Sequence, residues 1–309
     1  MNNSIAVIGQ GFVGGSLTTV FSERGFDVYV HDKTGKVSSG GKQPKTDENV
    51  FPCNVKEFVS SCETLKDFSK VYFVCLPTPM YEDGSADLSI VESVLAQLAE
   101  VPGERIVVVK STVPPGSTEG WNKKFNEQGL YVIFNPEFLT ERTALDDMRN
   151  QNRIVLGGPR PWINTVKILF RNAFPDVPII KTSSTTAEMV KYLTNNFLTV
   201  KVSFANEMSQ ICEALDRKGL NIDYDKVVEY ASYDTRIGKS HWNVPGPDGD
   251  RGYGGHCFPK DINAMIDVAK NHDIKPTMLQ AAWEKNLEVR KSKDWEKMAG
   301  RAVSKKPKV

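Results

Sequence analysis

The sequence predicts an α/β protein, a doubly wound parallel sheet over residues 1–182 followed by an all-helical domain over residues 183–309. Three observations carry this expectation. Short, nearly unbroken Val/Ile runs alternate with helix-like stretches in the first half, as in a parallel sheet covered on both faces. The segment from Ser184 to Asp216 then contains neither Pro nor Gly. A Gly/Pro-rich stretch from Gly238 to Pro259 follows, with further helical patterns beyond it.

Taken in order, strands are expected at Ser4–Gly9, Asp27–His31, Val71–Leu76, Arg105–Lys110, Leu130–Phe134 and Arg153–Leu156. Helices are expected between several of them, at Phe12–Arg24, Leu88–Glu100 and Ser117–Gln128. Ser184–Asp216 reads as one long helix with Ser and Thr available as N-caps. Its apolar residues crowd several faces, which suits a helix buried between domains or in a dimer. Two more helices begin near Asp261 and Pro276.

Bulk properties narrow the class. Net charge is +1, from 39 basic and 38 acidic residues, so there is no electrostatic footprint for nucleic acid or a membrane surface. The five cysteines, Cys53, Cys62, Cys75, Cys212 and Cys257, lack disulfide-framework spacing and point to a reducing compartment. No basic segment leads into a long apolar run at the N-terminus, and none approaches the ~20 apolar residues of a membrane span. A cytoplasmic soluble protein is expected. The Lys305-Lys306-Pro307-Lys308 tail reads as a solvated basic terminus.

Gly9-Gln10-Gly11-Phe12-Val13-Gly14 follows the apolar run Ile5–Ile8 directly and opens a helix. The first Gly permits a tight turn, the second lets the backbone approach a pyrophosphate, and the third lets helix and strand pack closely. An acidic residue, Asp32, follows the second strand, where a carboxylate accepts hydrogen bonds from ribose hydroxyls and repels a 2′-phosphate. A nicotinamide dinucleotide is therefore expected, NAD by the charge of Asp32, with Lys33 and Lys36 leaving NADP open.

The stretch Gly252-Tyr253-Gly254-Gly255-His256-Cys257-Phe258-Pro259-Lys260-Asp261 is the second informative one. Its glycines let the backbone close around a ligand. Cys257 lies just before the helix expected at Lys260–Asp261, and a thiol at a helix N-terminus beside a Lys is a favoured nucleophile. Cys75 and Cys212 read as inert apolar residues, and Cys53 and Cys62 carry no signal. His256 is a poor base for its neighbour, and His31, His241 and His272 lack metal-ligand spacing, so no metal is expected.

These loops bring a family into view. The cysteine loop, Val74-Cys75-Leu76-Pro77-Thr78-Pro79, Lys110-Ser111-Thr112-Val113-Pro114-Pro115-Gly116 and Asn135-Pro136-Glu137-Phe138-Leu139 resemble segments of the UDP-glucose/GDP-mannose dehydrogenase family. So do Ala187-Glu188 with Lys191 and Asn195, Asn206-Glu207, and Asp234-Thr235-Arg236-Ile237-Gly238, all in family order. The resemblance implies a Rossmann-type domain, a central helical dimerisation domain, and oxidation of a sugar C6 alcohol to a carboxylate with two hydrides passed to NAD. By resemblance Cys257 captures the aldehyde as a thiohemiacetal that becomes a thioester. Lys191 and Asn195, four apart on one helix face, would stabilise the oxyanion. Asp261 and Thr112 would hold the reacting water, and Glu137 would assist hydrolysis.

The resemblance assigns cofactor contacts to Gly9, Gly11, Phe12, Val13 and Gly14, to Asp32 and Lys36, and to Pro77, Thr78, Thr112 and Glu141. Sugar-nucleotide contacts fall to Glu137, Phe138, Leu139, Lys191, Asn195, Tyr253, Gly254 and Gly255, with Arg236 reaching across a homodimer formed on the long helix. UDP-glucose is the expected substrate and GDP-mannose the alternative. Two departures stand out. Arg142 in Glu141-Arg142-Thr143-Ala144 replaces a family glycine near the sugar nucleotide. The family's C-terminal nucleotide-binding domain is expected to be absent, since the sequence stops at Val309. That second point motivates a non-catalytic NAD-binding subunit as an alternative. A two-electron β-hydroxyacid dehydrogenase is a third reading, which a nucleophilic Cys257 opposes.

Overall fold

The computed structural model describes residues 4–43, 55–60 and 70–307. Cys53, Cys62 and Lys308 lie outside the described residues. The chain divides into two compact units, Met1–Thr78 with Leu88–Lys191, and Pro79–Asp87 with Tyr192–Val309.

The first unit is built on a sheet of β1 (Ser4–Ile8), β2 (Asp27–His31), β3 (Gly41–Lys42), β4 (Val71–Val74), β5 (Arg105–Val109), β6 (Leu130–Phe134), β7 (Ile154–Gly157) and β8 (Ile179–Thr182). The spatial order is β3-β2-β1-β4-β5-β6-β7-β8. Pairing is parallel except between β6 and β7, which run antiparallel and meet at Phe134 and Gly157. Side chains alternate faces along each strand, and two cores result. Ala6, Ile8, Tyr72, Val74, Val107 and Val109 join one, with Val91 and Leu95 of α3 (Ser89–Ala99) and Trp121 of α4 (Ser117–Phe125). Ile5, Val7, Phe73, Ile106 and Val108 join the other, with Phe21 of α1 (Phe12–Glu23) and Phe170 of α6 (Trp162–Ala173). Both faces are covered, which explains why the strands read as unbroken apolar runs. Phe170 sits edge-on to both Phe21 and Phe73, and losing such a ring typically costs about 3–5 kcal/mol.

Two short helices, α2 (Val55–Ser60) and α5 (Ala144–Arg149), complete this unit's helices among the described residues, apart from the start of α7 (Ser184–Asp216). The strand order reverses between β1 and β4. At such a point the loops leaving the strand carboxyl ends diverge and open a ligand crevice.

The second unit takes the rest of α7 together with α8 (Tyr224–Ala231), α9 (Phe258–Asn271) and α10 (Thr277–Val289). Tyr253, Ile262, Ile266 and Ala282 form its main apolar cluster. The Pro79–Asp87 excursion belongs here: Met80 packs with Trp295 and Ala302, its N–H donates to the Ala302 carbonyl at 2.8 Å, and Ser304 Oγ donates to Asp87 at 2.5 Å. Among the described residues no helix is long and apolar enough to cross a membrane.

Helix α9 starts at Phe258, earlier than Lys260–Asp261, with Pro259 in its first turn. Proline lacks an N–H, and a first-turn N–H has no intrahelical partner to lose.

Candidate active site

The loop after β1 has the geometry its glycines require. Gly9 has φ +92°, and a Cβ there would lie 2.4 Å from the Cys75 carbonyl oxygen. A Cβ on Gly14 would lie 1.9 Å from the Gly9 carbonyl oxygen. A Cβ on Gly11 would meet nothing within 4 Å. Gly11 is the N-cap of α1, with no side-chain cap and no acidic residue in the first turn. Open space over an uncapped helix N-terminus suits a dinucleotide's phosphates, so the residues present fit NAD. Phe12 and Val13, both half-buried, continue the turn.

Asp32 follows β2 and is tied to this loop. Its Oδ2 accepts from the Gln10 N–H at 2.8 Å, and its Oδ1 accepts from the N–H and hydroxyl of Thr34 at 2.8 and 2.6 Å. Burial pushes the Asp32 carboxyl up, yet the bonds from Thr34 and Gln10 hold it below the usual carboxylate range. Lys36 is exposed, as is Glu141 in its short 3-10 turn. Past β4, Pro77 is half-buried and Thr78 is buried, its hydroxyl donating to the Thr112 carbonyl at 2.7 Å. Thr78 and Thr112 are thus brought together. Cys75 is half-buried, and desolvation pushes its thiol up to about 12, the direction expected of an unreactive cysteine.

Glu137 follows β6 and is 6% exposed. Lys191, on the first turns of α7, donates to its carboxylate at 2.9 Å and to its carbonyl at 2.7 Å. The Leu139 N–H donates to its other oxygen at 2.7 Å. Burial pushes the Glu137 carboxyl up, but Lys191, the Leu139 N–H and the charge of Lys110 hold it below the usual range. Lys110 was not singled out by sequence. It is buried, donates to Asn135 Oδ1 at 2.7 Å, and is brought down to about 8 by desolvation. Asn135 in turn donates to the Val155 carbonyl at 2.8 Å, which pins the Glu137 loop to β7. Phe138 lies under the Arg153 guanidinium, 3.9 Å from the ring centre. A cavity of about 330 Å³ opens here, with Lys110, Glu137, Phe138, Leu139 and Arg153 among its walls.

Cys257, half-buried, is the N-cap of α9. One turn on, Asp261 is 1% exposed. Asn195 Nδ2 donates to one of its oxygens and Lys260 Nζ to the other, both at 2.5 Å. The Nζ of the lysine expected to assist the thiol is bonded to Asp261, and Cys257 itself sits at the helix N-terminus. Tyr253 is buried and edge-on to Phe258. Gly252 and Gly254 have a reason beyond ligand access. A Cβ on Gly252 would lie 2.2 Å from Asn286 Oδ1, and one on Gly254 would lie 2.1 Å from Arg290 Nη2. Gly255 has φ +71°. Asn286, on α10, and Arg290, just after its last residue, escaped sequence reading; their spacing of four was the available signal. Arg236 is exposed and paired with Asp234 at 2.6 Å.

Residues 3–173 match the NAD binding domain of the UDP-glucose/GDP-mannose dehydrogenase family, and residues 185–288 match its central domain. A putative UDP-glucose 6-dehydrogenase of Bacillus subtilis, YtcA, is 33% identical over 90% of this chain and 66% of its own length. The UDP-glucose 6-dehydrogenase AglM of Haloferax volcanii is 32% identical over 91% of this chain and 69% of its own. A UDP-glucose dehydrogenase structure from Pyrobaculum islandicum superposes with a TM-score of 0.74 at 30% identity, covering 92% of this chain and 68% of that one. The chain spans about two thirds of the length of these relatives. With both family domains matched in order over a Rossmann-type sheet and its helical partner, the chain belongs to the UDP-glucose/GDP-mannose dehydrogenase family.

Proposed function

We propose that the protein oxidises the C6 primary alcohol of a nucleotide sugar to the carboxylate, UDP-glucose to UDP-glucuronate, through a covalent intermediate on Cys257. The observation that carries this reading is Cys257 at the N-cap of α9, one turn before an Asp261 carboxylate held by Asn195 and Lys260. The Gly9–Gly14 turn would hold NAD, and two NAD molecules in succession would accept the two hydrides. The helix terminus favours the Cys257 thiolate. Its sulfur forms a bond to the aldehyde carbon, whose oxygen takes a proton, giving a thiohemiacetal. Oxidation of that carbon yields a thioester. Water then breaks the carbon–sulfur bond, returning the thiol and leaving the carboxylate.

Other residues take the roles that the family resemblance implies. Lys191 and Asn195 offer an ammonium and an amide to the oxyanion. Asp261 and Thr112 hold the water that accepts the alcohol proton. Glu137, kept ionised beside Lys191, assists hydrolysis. Phe138, Leu139, Tyr253, Gly254 and Gly255 contact the sugar nucleotide, and Arg236 does so across a homodimer. An apolar stripe on α7 supports the dimer: Leu193, Phe197, Phe204 and Ile211, spaced by four and seven, are 65%, 66%, 51% and 44% exposed. That spacing puts them on one side of the helix, and a contiguous patch of this kind marks an interface.

The test is NADH counted per UDP-glucose consumed. Two are expected, and Cys257→Ala should abolish turnover while retaining NAD binding. A ratio of one, or an active Cys257→Ala enzyme, would sink the reading. Light scattering should give a dimer, and Phe197→Glu should shift it to monomer.

A further inference from the structure

The loop that carries Cys257 is fastened from outside by α10 and the residues just beyond it. Asn286, 0% exposed, accepts from the Tyr253 N–H at 2.7 Å and donates to the Tyr253 carbonyl at 3.0 Å. Asp294 divides its two oxygens. One accepts from the Gly255 N–H at 2.9 Å, and the other from Arg290 Nη2 at 3.1 Å. The Arg290 side chain, 3% exposed, also donates to Asp248 at 2.7 Å, to the Ser292 carbonyl at 2.7 Å and to the Arg251 carbonyl at 3.3 Å.

The glycines of the loop are cut to this frame. A Cβ on Gly254 would meet Arg290 Nη2 at 2.1 Å and Asp294 Oδ1 at 2.3 Å, and one on Gly252 would meet Asn286 at 2.2 Å. Three glycines in four residues would otherwise leave the backbone many conformations. Here two of them, Gly252 and Gly255, hold φ of +67° and +71°. The bonds that select those conformations end on the main chain of Tyr253 and Gly255, and Cys257 lies two residues beyond Gly255. A carboxylate accepting from a backbone N–H makes a short, directional, charge-assisted bond.

We infer that Asn286, Arg290 and Asp294 are positioning residues that fix the course of the cysteine loop and so aim the Cys257 thiol. The inference rests on Cys257 being the nucleophile of the proposed reaction. None of the three needs to touch substrate. Their effect passes through main-chain atoms, and a nucleophile displaced by about 1 Å loses on the order of a hundred-fold in rate.

The test compares Asp294→Ala, Asp294→Asn and Asp248→Asn by kcat, KM for NAD, thermal midpoint, and the iodoacetamide alkylation rate of Cys257 followed on its own peptide. Asp294→Ala should lower kcat by about a hundred-fold, leave KM for NAD within about two-fold, and change the alkylation rate several-fold. Asp294→Asn keeps an acceptor for the Gly255 N–H and should recover most of both rates. Asp248→Asn removes the other carboxylate from Arg290 but no bond to the loop, so it should lower the thermal midpoint and spare kcat. If Asp294→Ala fails to fold, Gly254→Ala displaces the same pair and should show the same kcat loss. Wild-type turnover and alkylation in Asp294→Ala would overturn the inference, as would equal losses in all three variants. An active Cys257→Ala enzyme would instead remove the reading beneath it, and the alkylation rates are readable without turnover.

Discussion

The Gly9–Gly14 loop and the Gly252–Cys257 loop each lead the chain into the N-terminus of a helix, but different atoms hold them. At the first, main chain confronts main chain: Gly14 against the Gly9 carbonyl, and Gly9 against the Cys75 carbonyl. The turn is set by residues next to it and by the neighbouring strand. At the second, the glycines face side-chain tips, Asn286, Arg290 and Asp294, which arrive from more than thirty residues later. A turn held against main chain keeps its course wherever the sheet strands pair, whatever their side chains. A turn held by distant side chains is only as accurate as the frame around it.

Alanine at each site should separate the two designs. Gly14→Ala drives a methyl into backbone that cannot move alone, and a loss of about 3 kcal/mol is expected, read as a lower denaturant midpoint and lost NAD binding. Gly254→Ala meets flexible ends that can shift, so NAD binding should survive while turnover falls. If both variants lose NAD binding together, the contrast fails. Asp32→Ala comes next. It removes three bonds that tie the ribose-side carboxylate to the first loop, and KM for NAD should rise about ten-fold with the alkylation of Cys257 unchanged.

A last prediction concerns pH. Lys110 stands at about 8 in the folded protein against an ordinary 10.5. Between those values the unfolded chain binds more protons, so folding stability rises with pH through that window. Lys110→Met should flatten the rise, worth about 3 kcal/mol across the whole span, in denaturant titrations at pH 7.5 to 10.5. Persistence of the rise in the variant would show that another group carries it.

Much of the first unit was legible because its strands are buried on both faces and its turn chemistry is local. β2, β6 and α7 have the expected bounds, residue for residue. The two-residue strand β3 and the edge strand β8 were missed, since Gly41–Lys42 is too short for a pattern and β8 is only partly buried. Helices α6 and α8 were missed as well, although α6 buries Ile163, Val166 and Phe170 along one side. The antiparallel β6–β7 contact leaves no local trace. At the site, Cys257, Asp261, Glu137 and Lys191 were named from motifs. The pairing of Lys260 with Asp261, the buried Lys110–Asn135 contact and the Arg290–Asp294 frame were not. Each depends on which side chains burial forces to meet, and spacing along the chain does not record that.

The excursion Pro79–Asp87 has a consequence for how the protein is made. Its partners, Trp295, Ala302 and Ser304, lie more than two hundred residues downstream. On a ribosome, the segment leaving β4 must wait, undocked, until those partners have been synthesised. Contacts of such long sequence separation form late and slow folding. Met80, packed against Trp295 and Ala302 in the folded protein, stays available to chaperones until they are made.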